Sequence, residues 1–127
     1  MDTGALGKVY EDNEIIVRQG EVGDCMYVIQ EGQVEVIAEE GGEGIHLAVR
    51  GEGEFFGEMA IFDRDVRSAT VRAMGQVRAL TVDKKNFLRR IHEDPALAFR
   101  IVETMSRRLR ELQAELTQEI ERNKSER

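Results

Sequence analysis

The hydrophobic period of this chain changes once, near Val82, and that change limits what the chain can fold into. From Glu14 to Val82 the apolar segments are short, rich in β-branched residues and separated by glycine: EIIVR, CMYVIQ, QVEVIA, IHLAVR, SATVRA and VRALTV. Short alternating runs of this kind are strands, because successive side chains of an extended backbone point to opposite faces. The stretches between them carry turn chemistry: GEVGD at 20–24, EGQ at 31–33, EEGGEG at 39–44 and GEGEF at 51–55. Strands at such even spacing predict a closed all-β unit of jelly-roll or related barrel type.

After Val82 the pattern becomes helical and stays so. Asp83 is placed to cap a short helix, KKNFLRRI, whose Phe87, Leu88 and Ile91 fall on one side. Asp94 followed by Pro95 is a second helix start, with proline at the first helical position. No breaker follows through Asn123. The predicted organisation is one domain over 1–127: β-roll at 9–82, short helix at 83–92, long helix at 95–123. Along the long helix Val102, Met105, Leu109, Leu112 and Leu116 are spaced 3, 4, 3, 4, and Ile120 continues the stripe. That is a coiled-coil spacing. Residues 97–105 are expected to pack on the β unit; beyond Leu109 the stripe is expected to pair with a second copy, giving a homodimer.

Charge is distributed unevenly. Residues 1–63 hold 15 acids and 3 bases, whereas residues 64–127 hold 10 acids and 15 bases. The acidic first half argues against a broad nucleic-acid surface, and the bases of the second half read as a solvated helix face. Cys25 is the only cysteine, which precludes an internal disulfide; within CMYVI it reads as a small buried hydrophobe. No apolar run approaches the ~20 residues of a membrane span, and the first residues lack a signal-peptide core, so no membrane contact and a cytoplasmic location are expected.

Enzymatic motifs are poorly represented. The glycines of GEGEFFG have the wrong spacing for a dinucleotide fingerprint and no βαβ unit follows them; no GK[ST] is present. The two histidines, His46 and His92, lie in different elements, against a metal site. Ser68 has no base beside it in sequence. No catalytic residue and no metal are expected.

The segment FFGEMAIFDRDVRSAT, residues 55–70, makes a different kind of site. Gly57 permits close backbone approach, and EMAIF forms a helical turn that presents the amides of Glu58, Met59 and Ala60 as an anion-binding pose. Arg67 adds a forked, permanently charged donor, and the small Ser68 and Ala69 let a ligand lie close. A phosphate suits these groups. Glu58 would repel it, unless the ligand also carries a hydroxyl for the carboxylate to accept. A ribose with its phosphate tied close to the ring offers both.

This stretch resembles the phosphate-binding cassette of the cyclic-nucleotide-binding domain family, found in protein kinase A regulatory subunits, cyclic-nucleotide-gated channels and catabolite-activator-type regulators. The family pattern F-G-E-x-A, then R-[small]-A-[T/S], is met by Phe56, Gly57, Glu58 and Ala60, then Arg67, Ser68, Ala69 and Thr70. A second family rhythm is met by Gly20, Gly23, Asp24, Tyr27, Ile29 and Gly32. The resemblance implies a mainly β fold with flanking α, a double-stranded β-helix followed by a short and a long helix. It implies cAMP, or cGMP, as ligand. Arg67 would pair with the cyclic phosphate, Glu58 would accept from the ribose 2′-hydroxyl, and amides near Met59, Ala60, Ser68 and Ala69 would complete the cradle. The final helix would close over the base, with Arg108 at about the right distance along it; Arg107 and Arg108 are equally a solvated pair beside Glu111 and Glu115. Val66 stands where many members have proline, and Ser68 suits guanine in some members and accompanies cAMP in others. No recognition helix follows the long helix, so direct DNA contact is not expected. The expected role is a sensor module acting on an unidentified protein partner; the alternatives are a regulatory fragment of a larger channel, kinase or transcription regulator, and a structural dimer with a vestigial pocket.

Overall fold

A computed structural model describes residues 6–63 and 66–126, with no side-chain description of Asp63. The order of elements is β1 (Lys8–Tyr10), β2 (Ile15–Val17), β3 (Cys25–Glu40), β4 (Glu43–Arg50), β5 (Phe55–Phe56), α1 (Met59–Asp63), β6 (Thr70–Asp83), α2 (Lys84–Glu93) and α3 (Pro95–Ser125). The β-then-α order that the change of period predicts is present, as a mainly antiparallel sheet followed by a short and a long helix, consistent with the β-roll that the resemblance implies. The chain divides into two compact units, the first ending at Phe87 and the second beginning at Leu88.

In the first unit the sheet runs β1-β6-β3-β4, with β2 on β6 and β5 on β3. All of these pairings are antiparallel. The turn expected at 31–33 lies inside β3, and SATVRA and VRALTV share β6, so two pairs of predicted strands are two long strands. Gly32 takes φ +90°, a left-handed conformation cheap only for glycine, and the β3–β6 register shifts around it. The chain thus absorbs an irregularity there without leaving the sheet. A Cβ at Gly32 would lie 2.5 Å from the carbonyl oxygen of Gln76, so the two strands approach too closely for any other residue.

The β3–β4 hairpin closes through Gly41 and Gly42, with φ +59° and +85°. Two successive left-handed residues make the two-residue turn whose twist matches the flanking strands. The core beneath the sheet contains Tyr10, Val17, Ile29, Val34, Phe56, Val71, Ala73, Val77 and Ala79. Phe62 of α1 meets Phe87 of α2 edge to face, with centroids 5.7 Å apart. Asp83 Oδ1 accepts from the Asn86 amide at 2.8 Å and caps α2.

In the second unit, α3 starts with Pro95 in its first turn. Asp94 makes no side-chain cap: its carboxylate accepts instead from Arg100 Nη2 at 3.0 Å, an ion pair that competes for the capping oxygen. The buried residues of α3 are Leu97 and Ile101, whereas Val102, Leu109, Leu112, Leu116 and Ile120 are exposed.

Across the sheet Glu35 on β3 joins Arg72 on β6 at 2.5 Å and His46 on β4 at 2.7 Å. The hydrogen bond to His46, then that to Arg72, holds the Glu35 carboxyl below its ordinary value of 4.5. A carboxyl with a lowered folded-state pKa stabilises the fold above the unfolded value and loses that contribution as pH falls through the folded one. Glu35→Gln is therefore expected to melt below the parent protein near neutral pH, the gap closing as pH drops below 4.5; thermal melts across that range check this.

Candidate functional site

Arg67 reaches the site from the loop before β6, and backbone pairing sets its position. Its amide donates to the Glu21 carbonyl at 2.7 Å, its carbonyl accepts from the Gly20 amide at 2.9 Å, and Val22 bridges Val66 in antiparallel fashion. The glycine-bounded loop GEVG thus acts as a short rail for the arginine.

The side chain then turns inward. Arg67 is 9% exposed; Nη1 donates to the Gly57 carbonyl at 2.9 Å and Nη2 to the Cys25 carbonyl at 2.8 Å. The Cys25 sulfur is a weaker acceptor 3.7 Å from Nη2. The guanidinium carbon lies 5.8 Å from the centroid of Tyr27, which stacks on Phe56 at 5.0 Å and 12°. A cation over an aromatic face contributes about 0.5–2 kcal/mol, more when desolvated. Burial is the first cause that pushes the Tyr27 hydroxyl well above its ordinary value of 10.0, so it stays a neutral phenol beside the arginine.

Among the described residues, the groups that Arg67 meets are two carbonyls, a sulfur and an aromatic ring. Among the described residues no carboxylate forms an ion pair with Arg67. A buried positive charge satisfied only by carbonyls and a ring retains its demand for an anion.

Two glycines make room for it. A Cβ at Gly23 would lie 2.1 Å from Arg67 Nε, and one at Gly57 would lie 2.7 Å from Nη1. Gly57 also takes φ +74°, which turns the chain from β5 into α1. In that turn the Ala60 amide donates to the Gly57 carbonyl at 3.3 Å and the Ile61 amide to the Glu58 carbonyl at 3.0 Å. The expectation that Ala60 presents its amide outward is corrected: helix formation consumes it. Gly57 therefore receives both that amide and Arg67 Nη1 on one oxygen.

The other predicted residues are placed unequally. Glu58 is half-buried and follows directly on Gly57, Met59 and Ser68 are exposed, and Ala69 is half-buried. Phe56 is only 3% exposed and lies in the core stacked on Tyr27, whose ring in turn faces the Arg67 guanidinium. Ala60 is buried. Arg108 is half-buried on α3, and the neighbouring Arg107 lies 4.0 Å from Glu111. Cys25, expected as an inert core residue, is half-buried and turns its sulfur toward Arg67. The sequence offered one signal for Gly23, Cys25 and Tyr27: they fall within the glycine rhythm of GEVGDCMYVI, and Cys25 and Tyr27 are two apart on one face of β3.

Comparison with known proteins shows a family and a fold. A family model described as "Cyclic nucleotide-binding domain" matches residues 7–94. The chain is 40% identical over 81 residues to the cAMP-dependent protein kinase regulatory subunit of Blastocladiella emersonii, covering 63% of this chain and 20% of that protein. Its fold matches the crystal structure of the Thermus thermophilus catabolite activator protein with a TM-score of 0.78 and 33% identity, over 86% of this chain and 52% of that one. It also matches the cAMP-bound form of the EAL enzyme Bd1971, TM-score 0.63 and 37% identity, over 81% of this chain and 28% of that one. The chain thus spans well under two thirds of these relatives.

The crowding at Gly23 gives a thermodynamic cycle. Gly23→Ala is expected to destabilise the protein by about 1–3 kcal/mol through overpacking against the guanidinium. In an Arg67→Ala background that cost should disappear, which denaturant melts of the four variants would measure.

Proposed function

The chain belongs to the cyclic nucleotide-binding domain family, and from that premise we propose that it binds a 3′,5′-cyclic nucleotide, cAMP in first place, at the cassette formed by Gly57, Glu58 and Arg67. The observation that carries this reading is the buried guanidinium of Arg67, which faces only neutral acceptors among the described residues. A cyclic phosphate supplies the missing negative charge. Arg67 exchanges its bonds to carbonyls, or part of them, for charge-assisted bonds to phosphate oxygens, which are the stronger kind. Glu58 follows directly on Gly57, whose carbonyl holds Arg67, and in this reading its ionised carboxylate accepts from a ribose hydroxyl. Ser68 and Ala69, small and beside Arg67, leave room for the sugar-phosphate. Met59 contributes through its backbone amide in the first turn of α1, while its side chain is exposed.

The choice of base stays with the relatives: Bd1971 has been solved in cAMP-bound and cGMP-bound forms. This chain's own role in the proposal is recognition without catalysis, with a downstream effector protein as the recipient of the signal. Among the described residues no helix is long and apolar enough to cross a membrane.

Output is assigned to α3. The exposed stripe of Val102, Leu109, Leu112, Leu116 and Ile120 is the surface for a second copy, and Arg108 is the candidate residue over the base. A ligand shifts the position of a helix only if it binds one position better than the other. Saturating cAMP should therefore slow amide hydrogen exchange in residues 107–123; exchange there that ignores the ligand removes the lid from this scheme.

Calorimetry on the purified chain tests binding itself. Arg67→Ala is expected to cost about 2–5 kcal/mol of cAMP affinity, as for a buried charge partner removed. Glu58→Gln is expected to cost less, because the amide oxygen still accepts. Unchanged affinity in Arg67→Ala would move the site elsewhere.

A further inference from the structure

The β3–β4 hairpin leaves one edge of the sheet open. β4 ends the strand order and pairs only with β3 among the described residues, so its outer row of backbone amides and carbonyls is unpaired within the sheet. Such an edge is a template for another strand. Nature commonly blunts an edge with proline, lysine, an inward charge or a bulge; EGIHLAVR has no proline and no lysine, its charges stand at its two ends, and it carries a bulge at Leu47. Ile45, Leu47 and Val49 along it are exposed.

The ends carry opposite signs, Glu43 and Arg50, and neither joins an ion pair among the described residues. In a regular strand two residues seven apart point to opposite faces. Here the register with β3 shifts between Ala48 and His46, leaving Leu47 as an extra residue. Glu43 is therefore opposite Glu40 and Arg50 opposite Val34, both even positions of β3 where its own alternation is regular, so the two charges share one face. The bulge restores a parity that the spacing alone would break.

We propose that β4 pairs antiparallel with β4 of a second copy, about a two-fold axis between His46 and Leu47. This is the register in which Glu43 meets Arg50 of the other copy twice over. A two-fold axis perpendicular to the sheet preserves faces, so partners directly opposite must share a face, and Glu43 and Arg50 do. Ile45 then opposes Ala48 of the second copy, a large residue against a small one. Without the bulge the same axis would put each acid and base on opposite sides of the sheet. The contact is self-complementary in charge, which singles out a second copy over an unrelated strand. It is independent of the nucleotide site and of the α3 stripe.

The test is charge reversal in the full chain, read by sedimentation at roughly 100 µM, a concentration suited to a small edge contact. Glu43→Arg alone and Arg50→Glu alone should each weaken self-association about tenfold or more, since two attractive pairs become two repulsive ones. An equimolar mixture of the two single variants should associate, and so should the double variant, because each arrangement again sets unlike charges opposite. Pairing through α3 does not require opposite signs at 43 and 50, so it predicts no difference among these samples. Identical sedimentation of all of them overturns the proposal. So does a mixture, or a folded double variant, that fails to regain association.

Discussion

The contact on which the site depends is the grip of one guanidinium on two backbone carbonyls. Arg67 comes from the loop before β6, Cys25 opens β3 and Gly57 follows β5, so its two hydrogen bonds join three parts of the chain at one point. Backbone acceptors suit this purpose better than carboxylates. An acid facing Arg67 would neutralise it and make the cluster an inert ion pair, whereas carbonyls orient the planar fork and bring no charge of their own. The stack of Phe56, Tyr27 and guanidinium gives that charge a firm floor, and its apolar base is continuous with the core.

The glycines around the grip are explained by what each would otherwise strike. Gly23 makes space for Nε, and Gly57 combines a left-handed turn with close approach of Nη1. Gly20, by contrast, has φ +90° with nothing near its missing side chain. The same residue type thus answers two demands in one loop, conformation at Gly20 and volume at Gly23.

How much of this was legible in the sequence follows from which groups carry a sequence label. The change of period at Val82 exposed the β-then-α order, and the spacing from Glu58 to Arg67 exposed the cassette, because side chains are what a sequence records. The partners of Arg67 are carbonyl oxygens that every residue has, so nothing marked Cys25 or Gly57 as its acceptors. Gly32 was read as a turn because glycine punctuates strands; here the strand continues past it, since tertiary pairing with β6 outweighs the local signal. Asp94 had the right residue type and place for a cap, but Arg100 one and a half turns later took its carboxylate. Phe56 belonged to the matched motif, and its ring lies in the core stacked on Tyr27, a burial that the motif alone does not record.

The pairing of β3 with β6 also has a kinetic meaning. Cys25 lies opposite Asp83 and Ile37 opposite Thr70, so the longest ladder of the sheet joins residues far apart in sequence, while the β3–β4 hairpin closes through only Gly41 and Gly42. Local contacts form quickly and distant ones slowly, because the connecting loop must first lose its freedom. The hairpin is thus the natural early structure, and the β3–β6 ladder a late one. Arg67 lies just before β6 and grips the start of β3, so it is anchored only when that ladder closes. During synthesis the nascent chain accordingly carries a preformed hairpin for some time before Arg67 is anchored, and completing the ladder and fixing the arginine are one event.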